Sequence, residues 1–222
     1  MLARLGYRSL TEIVGRTDIL KTRAGVNLAK TSSLDVSTLI NLPDVRENRS
    51  WLSHEEVHSN GPVLDDEILA DVEVQTAIQT QGTVSKSYQV VTTDRTLGAR
   101  VAGVIAEKYG NSGFEGQLNL TFEGSAGQSF GAFNLPGMTL TLIGEANDYV
   151  GKGMHGGELV VKPPVGINYD PAENVILGNT CLYGSTGGTL YAHGIAGERF
   201  AVRNSKGQAV IEGAGDHCCE YM

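Results

Sequence analysis

The sequence predicts a mainly β fold, a right-handed parallel β-helix with rungs of about 20 residues, preceded by a short helical N-terminal arm. Three observations carry this expectation. First, one glycine frame returns along the second half of the chain, beginning at Gly103, Gly124, Gly144, Gly178, Gly197 and Gly215. These glycines stand 21, 20, 34, 19 and 18 residues apart. Second, short β-type runs fill the intervals, at 117–122, 138–143, 158–161, 174–177, 189–192, 200–202 and 208–211, several of them alternating apolar and polar residues. Such alternation buries one face and wets the other. Third, none of these runs is long enough for a helical repeat, and glycine supplies the positive φ of tight corners. Stacked rungs pair each strand with its equivalents as parallel sheets, and the right hand follows from the handedness of parallel crossovers.

Each element follows in order. Ser9 and Glu12 form a capping-box pattern ahead of Ile13, which predicts a short helix over 9–15. A second short turn of helix is expected over 18–28. Residues 44–60 are polar and charged and read as surface loop. Asp65, Asp66 and Glu67 open a run with helical spacing, so one helix is expected over 65–80, ending at Gln81-Gly82. A strand follows over 83–93, and a first full rung is expected over 97–105. The 34-residue interval contains Pro163, Pro164 and Pro171, and reads as one rung plus a loop of about 14 residues. The division expected is an arm over 1–82 and a β-helix over 83–222.

Composition narrows the function. Glycine is 29 of 222 residues, against roughly 7% on average, and its concentration in the apolar second half fits corners. A net charge of −8 argues against a nucleic-acid surface. No apolar run reaches membrane-spanning length, and the N-terminus lacks the apolar core of a signal peptide. Three cysteines, two of them adjacent, suit a reducing compartment. A soluble intracellular protein is expected.

Several motifs imitate sites. Gly151, Gly153 and Gly156 spell G-x-G-x-x-G, but a strand and prolines follow, so a solenoid corner is expected rather than a dinucleotide turn. His54, Glu55 and His58 match H-E-x-x-H; the segment has no apolar periodicity to hold a buried helix, and no clear third ligand follows at short range. Cys218 and Cys219, with Asp216, His217 and Glu220, resemble a ligand cluster, yet adjacent strand side chains point to opposite faces. Together with Cys181 they are expected to be small buried residues. His155 and His193 are expected as exposed or hydrogen-bonded turn residues, and Arg199, Arg203 and Asp216 as partners in ion pairs between rungs. No catalytic, cofactor-binding or metal-binding residue is assigned in this chain.

The letters of the repeat resemble a known family. GSAGQSFGAF at 124–133, GEANDYVGKG at 144–153, GNTCLYGSTGG at 178–188, AGERFAVRNS at 196–205 and VIEGAGDHCCEYM at 210–222 are similar to the C-terminal GXGXG domain of the glutamate synthase large subunit. The likeness reaches forward through Thr93-Asp-Arg95 to LGYRSL at 5–10, and the wording around Trp51 to Asp66 is closer to the ferredoxin-dependent form. The resemblance implies a right-handed β-helix that packs as a bracket against an amidotransferase domain and an FMN-binding synthase domain. It implies FMN and a [3Fe-4S] cluster on those other domains and none here. The whole enzyme would make glutamate from glutamine and 2-oxoglutarate with reduced ferredoxin or NADPH, in the cytoplasm or plastid stroma. The family's catalytic N-terminal cysteine has no match, since Met1 is followed by Leu2. The family pattern continues past Met222, so a fragment or separately encoded piece is expected, able to associate with itself through an open last rung. Two other readings stand beside this one. The first is a free-standing scaffold subunit like the glycine-repeat subunit of formylmethanofuran dehydrogenase. The second is a polysaccharide-acting β-helix, which the low aromatic content of 6% disfavours.

Overall fold

A computed structural model of the chain describes residues 1–25, 35–41 and 61–222. The chain forms two compact units, Met1–Ser59 and Asn60–Met222. In the first, α1 (Leu2–Leu5) closes on Gly6 at φ 82, a 3₁₀ turn spans Thr17–Ile19, and α2 spans Ser37–Ile40. The helix expected over 9–15 is a single turn. Ile13 N and Val14 N both reach Leu10 O, the Glu12 carboxylate accepts from Arg8 N at 2.9 Å rather than from Ser9, and Gly15 at φ 74 stops the turn.

The second unit opens with α3 (Leu64–Ala70) and α4 (Val72–Thr80). The one helix expected over 65–80 is broken at Asp71. This residue is extended, and its carboxylate caps α4 by accepting from Glu73 N at 2.8 Å and Val74 N at 3.3 Å. An aspartate that can serve as N-cap competes with the helix running through it. After β1 (Thr83–Val90) comes α5 (Ala99–Tyr109), where a first rung was expected. Val101, Ala102 and Ile105 are buried at helical spacing, and Gly103 lies in mid-helix. The Gly103–Gly110 frame is therefore a coincidence of letters, and the repeat begins at Gly124.

The remaining strands are β2 (Gln117–Ala126), β3 (Met138–Ala146), β4 (His155–Lys162), β5 (Val175–Leu177), β6 (Gly187–Ala192), β7 (Ile195–Ala196), β8 (Gln208–Val210) and β9 (Gly213–Ala214). All pairings among these nine strands are parallel. The result is a mainly parallel, curled sheet with few helices. It forks at β3. Residues 139–143 of β3 pair with β4, whereas Ala146 pairs with Leu177 of β5. One branch continues through β6 and β8, the other through β7 and β9. The loop over 163–174, read from the sequence as an insertion, leaves the sheet at this fork.

The core is built from register. Leu120, Leu140, Leu159 and Leu190 are successive partners, each at most 1% exposed. Each fully buried leucine contributes about 1.5–3 kcal/mol. Phe122, Leu142, Val161 and Ala192 form the next such row, with Tyr88 stacked on Phe122 at 5.8 Å between centroids. Gly144 is required by close approach, because a Cβ there would stand 1.8 Å from Gly124 O.

Candidate functional site

Five corner turns, at 127–134, 147–154, 178–185, 197–204 and 215–222, stack on one another. Each alternates left-handed residues with right-handed or extended ones. Ser129, Gly131 and Phe133 have positive φ; so do Tyr149, Gly151 and Gly153; Thr180, Leu182 and Gly184; Arg199, Ala201 and Arg203; His217, Cys219 and Tyr221. The segment 200–202, expected as strand, belongs to the fourth turn for this reason. Alternation lets each turn bond to both neighbours: Tyr149 N donates to Asn179 O at 2.9 Å, while Gly151 N donates to Phe130 O at 2.9 Å. Phe130, Val150, Cys181 and Phe200 occupy one position in four of the turns and are 0–4% exposed.

The sequence candidates fall into place on this ladder. Gly151, Gly153 and Gly156 form a corner that leads into β4 rather than a helix, and the space a Cβ would need at Gly151 is filled by Leu182 at 2.8 Å. Cys181 is buried, and burial pushes its thiol up to about 12, which makes it unreactive. Cys218 and Cys219, expected to be buried, are exposed. They lie in a turn and not a strand, so their sulfurs sit 3.4 Å apart instead of on opposite faces. His217 Nδ1 pairs with Glu220 Oε1 at 2.7 Å beside them. His155 begins β4, its Nδ1 2.8 Å from Thr186 Oγ1, and His193 is an exposed bend residue. The ion pairs expected of Arg199, Arg203 and Asp216 are replaced by backbone and ring contacts. Arg199 N donates to Asp216 O at 2.8 Å, and the Arg203 guanidinium lies 5.9 Å from the centre of the Tyr221 ring. His54, Glu55 and His58 lie outside the described residues. Among those described, no group of three His, Cys, Asp or Glu could hold a metal.

The feature with chemistry to offer is one that motif reading did not find. A cleft of about 370 Å³ opens where β3 forks. Its floor carries Gln89, Glu123, Ser125 and Glu145 from the ends of β1, β2 and β3, and its wall includes Pro164 and Tyr169 of the 163–174 loop. A second hollow of about 260 Å³ continues it along Val175 and Ile176. Glu123 Oε2 accepts from Gln89 Nε2 at 2.9 Å, and Glu145 Oε1 accepts from Ser125 Oγ at 3.0 Å. Neither carboxylate is in an ion pair with any described residue. The polar groups of the cleft are carboxylates, an amide and a hydroxyl beside an apolar wall, a set suited to binding a cationic group with an apolar stem. Residues 89, 123 and 145 meet only through parallel register, a signal that no local motif carries.

The comparisons agree with one another. The family described as "GXGXG motif" matches residues 65–222. The whole chain aligns at 67% identity with "Ferredoxin-dependent glutamate synthase 2" of Synechocystis sp., covering 14% of that protein. It aligns at 57% with the chloroplastic ferredoxin-dependent glutamate synthase of Oryza sativa and at 53% with that of Pyropia yezoensis, again over all of this chain and 14% of each relative.

Proposed function

Since the chain belongs to the GXGXG family, as the GXGXG domain of a glutamate synthase, we propose that it is the structural, interdomain segment of a ferredoxin-dependent synthase. That enzyme would make glutamate from glutamine and 2-oxoglutarate with reduced ferredoxin, or NADPH, in the cytoplasm or plastid stroma. The observation that carries this reading is the alignment of all 222 residues at 53–67% identity with enzymes of that name, of which they make up only 14%. Within it the curled parallel sheet is a right-handed β-helix, preceded in sequence by an arm over 1–82, and the amidotransferase and FMN-binding parts are its neighbours. The stacked corner turns support a bracket: each is bonded to the turns beside it, a rigid arrangement that leaves its outer faces free to pack.

The cofactors of such an enzyme belong elsewhere in its chain. A [3Fe-4S] cluster needs converging thiolates, and the cysteines here do not fit it, because Cys181 is a core residue while Cys218 and Cys219 are exposed two turns away. The glycines at 151–156 leave no cradle for a flavin phosphate, being packed against Leu182, Phe133 and Pro136. No described helix is long and apolar enough to cross a membrane.

Two measurements test the reading. An antibody to this chain should detect, in source-cell extract, a band several times larger than 23.6 kDa. The 222 residues produced alone should show no flavin absorbance and no glutaminase activity. A band at 23.6 kDa, or either property in the isolated chain, would overturn it.

A further inference from the structure

We infer that the cleft at the fork of β3 is the docking site for a basic segment of the same synthase polypeptide, a Lys or Arg flanked by apolar residues. This rests on the interdomain reading above and names the surface that would do the packing.

Charge comes first. Glu123 and Glu145 stand on adjacent strands at the floor, each held in place by a neutral neighbour and neither in an ion pair with any described residue. Lys162, in register with Ile143, which is itself the partner of Glu123, makes no ion pair with either carboxylate. Two carboxylates so placed on a chain of net charge −8 attract a cation and repel an acidic partner.

Shape comes second. The wall is apolar and open: Val175 is 62% exposed, Tyr169 45%, and Val165 stands fully exposed on the same loop. An exposed apolar surface beside charged groups is the mark of a contact face. It suits the aliphatic stem of a lysine or arginine and an apolar neighbour.

The backbone adds a third element. Gly144 and Glu145 lie between the last pair with β4, at Ile143, and the single pair with β5, at Ala146. On that side these two residues have no register partner, so the sheet has a gap there beside the two carboxylates. The occupant is assigned to the same polypeptide because the chain spans only 14% of its relatives, whose remaining length is the nearest source of such a segment.

The test uses the whole synthase. Hydrogen exchange of amides over 163–177 is compared between the unaltered enzyme and two double variants, Glu123→Gln/Glu145→Gln and Glu123→Lys/Glu145→Lys. The glutamine pair keeps the acceptors of Gln89 and Ser125 and guards against a simple folding defect; exchange over 118–120 serves as the fold control. Both variants should exchange over 163–177 faster, by roughly tenfold or more for the lysine pair, with 118–120 unchanged. Carbodiimide, which joins a carboxylate to an amine with no spacer, should link Glu123 or Glu145 to a lysine beyond these 222 residues when the occupant carries one. Unchanged exchange over 163–177 in both variants would overturn the assignment, and so would links found only between two copies. Either result with a large immunoblot band leaves the interdomain reading standing and removes only the cleft.

Discussion

At the scale of single residues, the corner turns hold side chains where glycine is the usual choice. Thr180, Leu182, Arg199 and Ala201 all sit near φ 57, in a region that costs a residue with a Cβ about 1–2 kcal/mol. Arg199 is exposed and engages its neighbours through its backbone. Arg199→Gly should therefore stabilise the chain by about 0.5–1 kcal/mol, once the looser unfolded state of glycine is set against the relief. A urea titration of the 222-residue chain would show this as a higher midpoint with an unchanged slope, and a lower midpoint would contradict it. The reverse holds at Gly144, where a methyl would meet Gly124 O at 1.8 Å. Gly144→Ala should cost about 1–3 kcal/mol or more, visible as a fall in Tm.

At the scale of elements, one buried carboxylate ties α3 to the start of α5. Asp65, 3% exposed, accepts from Gly98 N and Arg100 N at 2.8 Å each, so it caps α5 from a different helix. Burial pushes its carboxyl above the ordinary value, and outweighs the opposing pull of the Gly98, Arg100 and Val101 amides and of the Arg100 charge. A carboxyl raised in the folded state binds its proton more tightly there than in the unfolded chain. Its contribution is full below the unfolded value of about 3.9 and is lost as pH rises through the folded value. Stability of the unaltered chain should thus fall with rising pH across that window relative to Asp65→Asn, which does not titrate; parallel thermal melts from pH 3 to 7 would measure it. Parallel lines would show that the burial has no energetic consequence.

The same elements show what could be read in advance. The strands were legible because their apolar residues alternate, and rows such as Leu120, Leu140, Leu159 and Leu190 place that alternation in register. The insertion after β4 was legible from spacing and prolines. Helix α5 was not, because a glycine frame at Gly103 and Gly110 happened to match the repeat while Val101, Ala102 and Ile105 carried a helical period. The break at Asp71 needed the knowledge that its carboxylate turns back on Glu73 N and Val74 N. The left-handed positions were hidden because only some of them are glycine.

At the scale of the molecule, the division of labour is between an inside that fixes geometry and an outside that offers contact. No described group of residues assembles a metal site, and the buried thiol of Cys181 is held well away from its reactive form. The cleft was invisible to motif reading because Glu123, Glu145 and Tyr169 come from three separate stretches. The fork of β3 brings them together, and this is where the domain's proposed work in the synthase would be done.

The two-way bonding of the corner turns also sets a rule for how such a chain can change length. Since the amides of one turn serve both the turn before and the turn after, a deletion of a few residues within a turn would leave unmatched groups on two levels at once. Removal or duplication of a complete level, 18–20 residues by the glycine spacing outside the loop-bearing interval, would keep every level matched to its neighbours. Growth is thus quantised along the stack and continuous only sideways, through loops like that over 163–174. Lineages of this domain should differ from one another in the loops by any number of residues, and in the stack by whole levels or not at all.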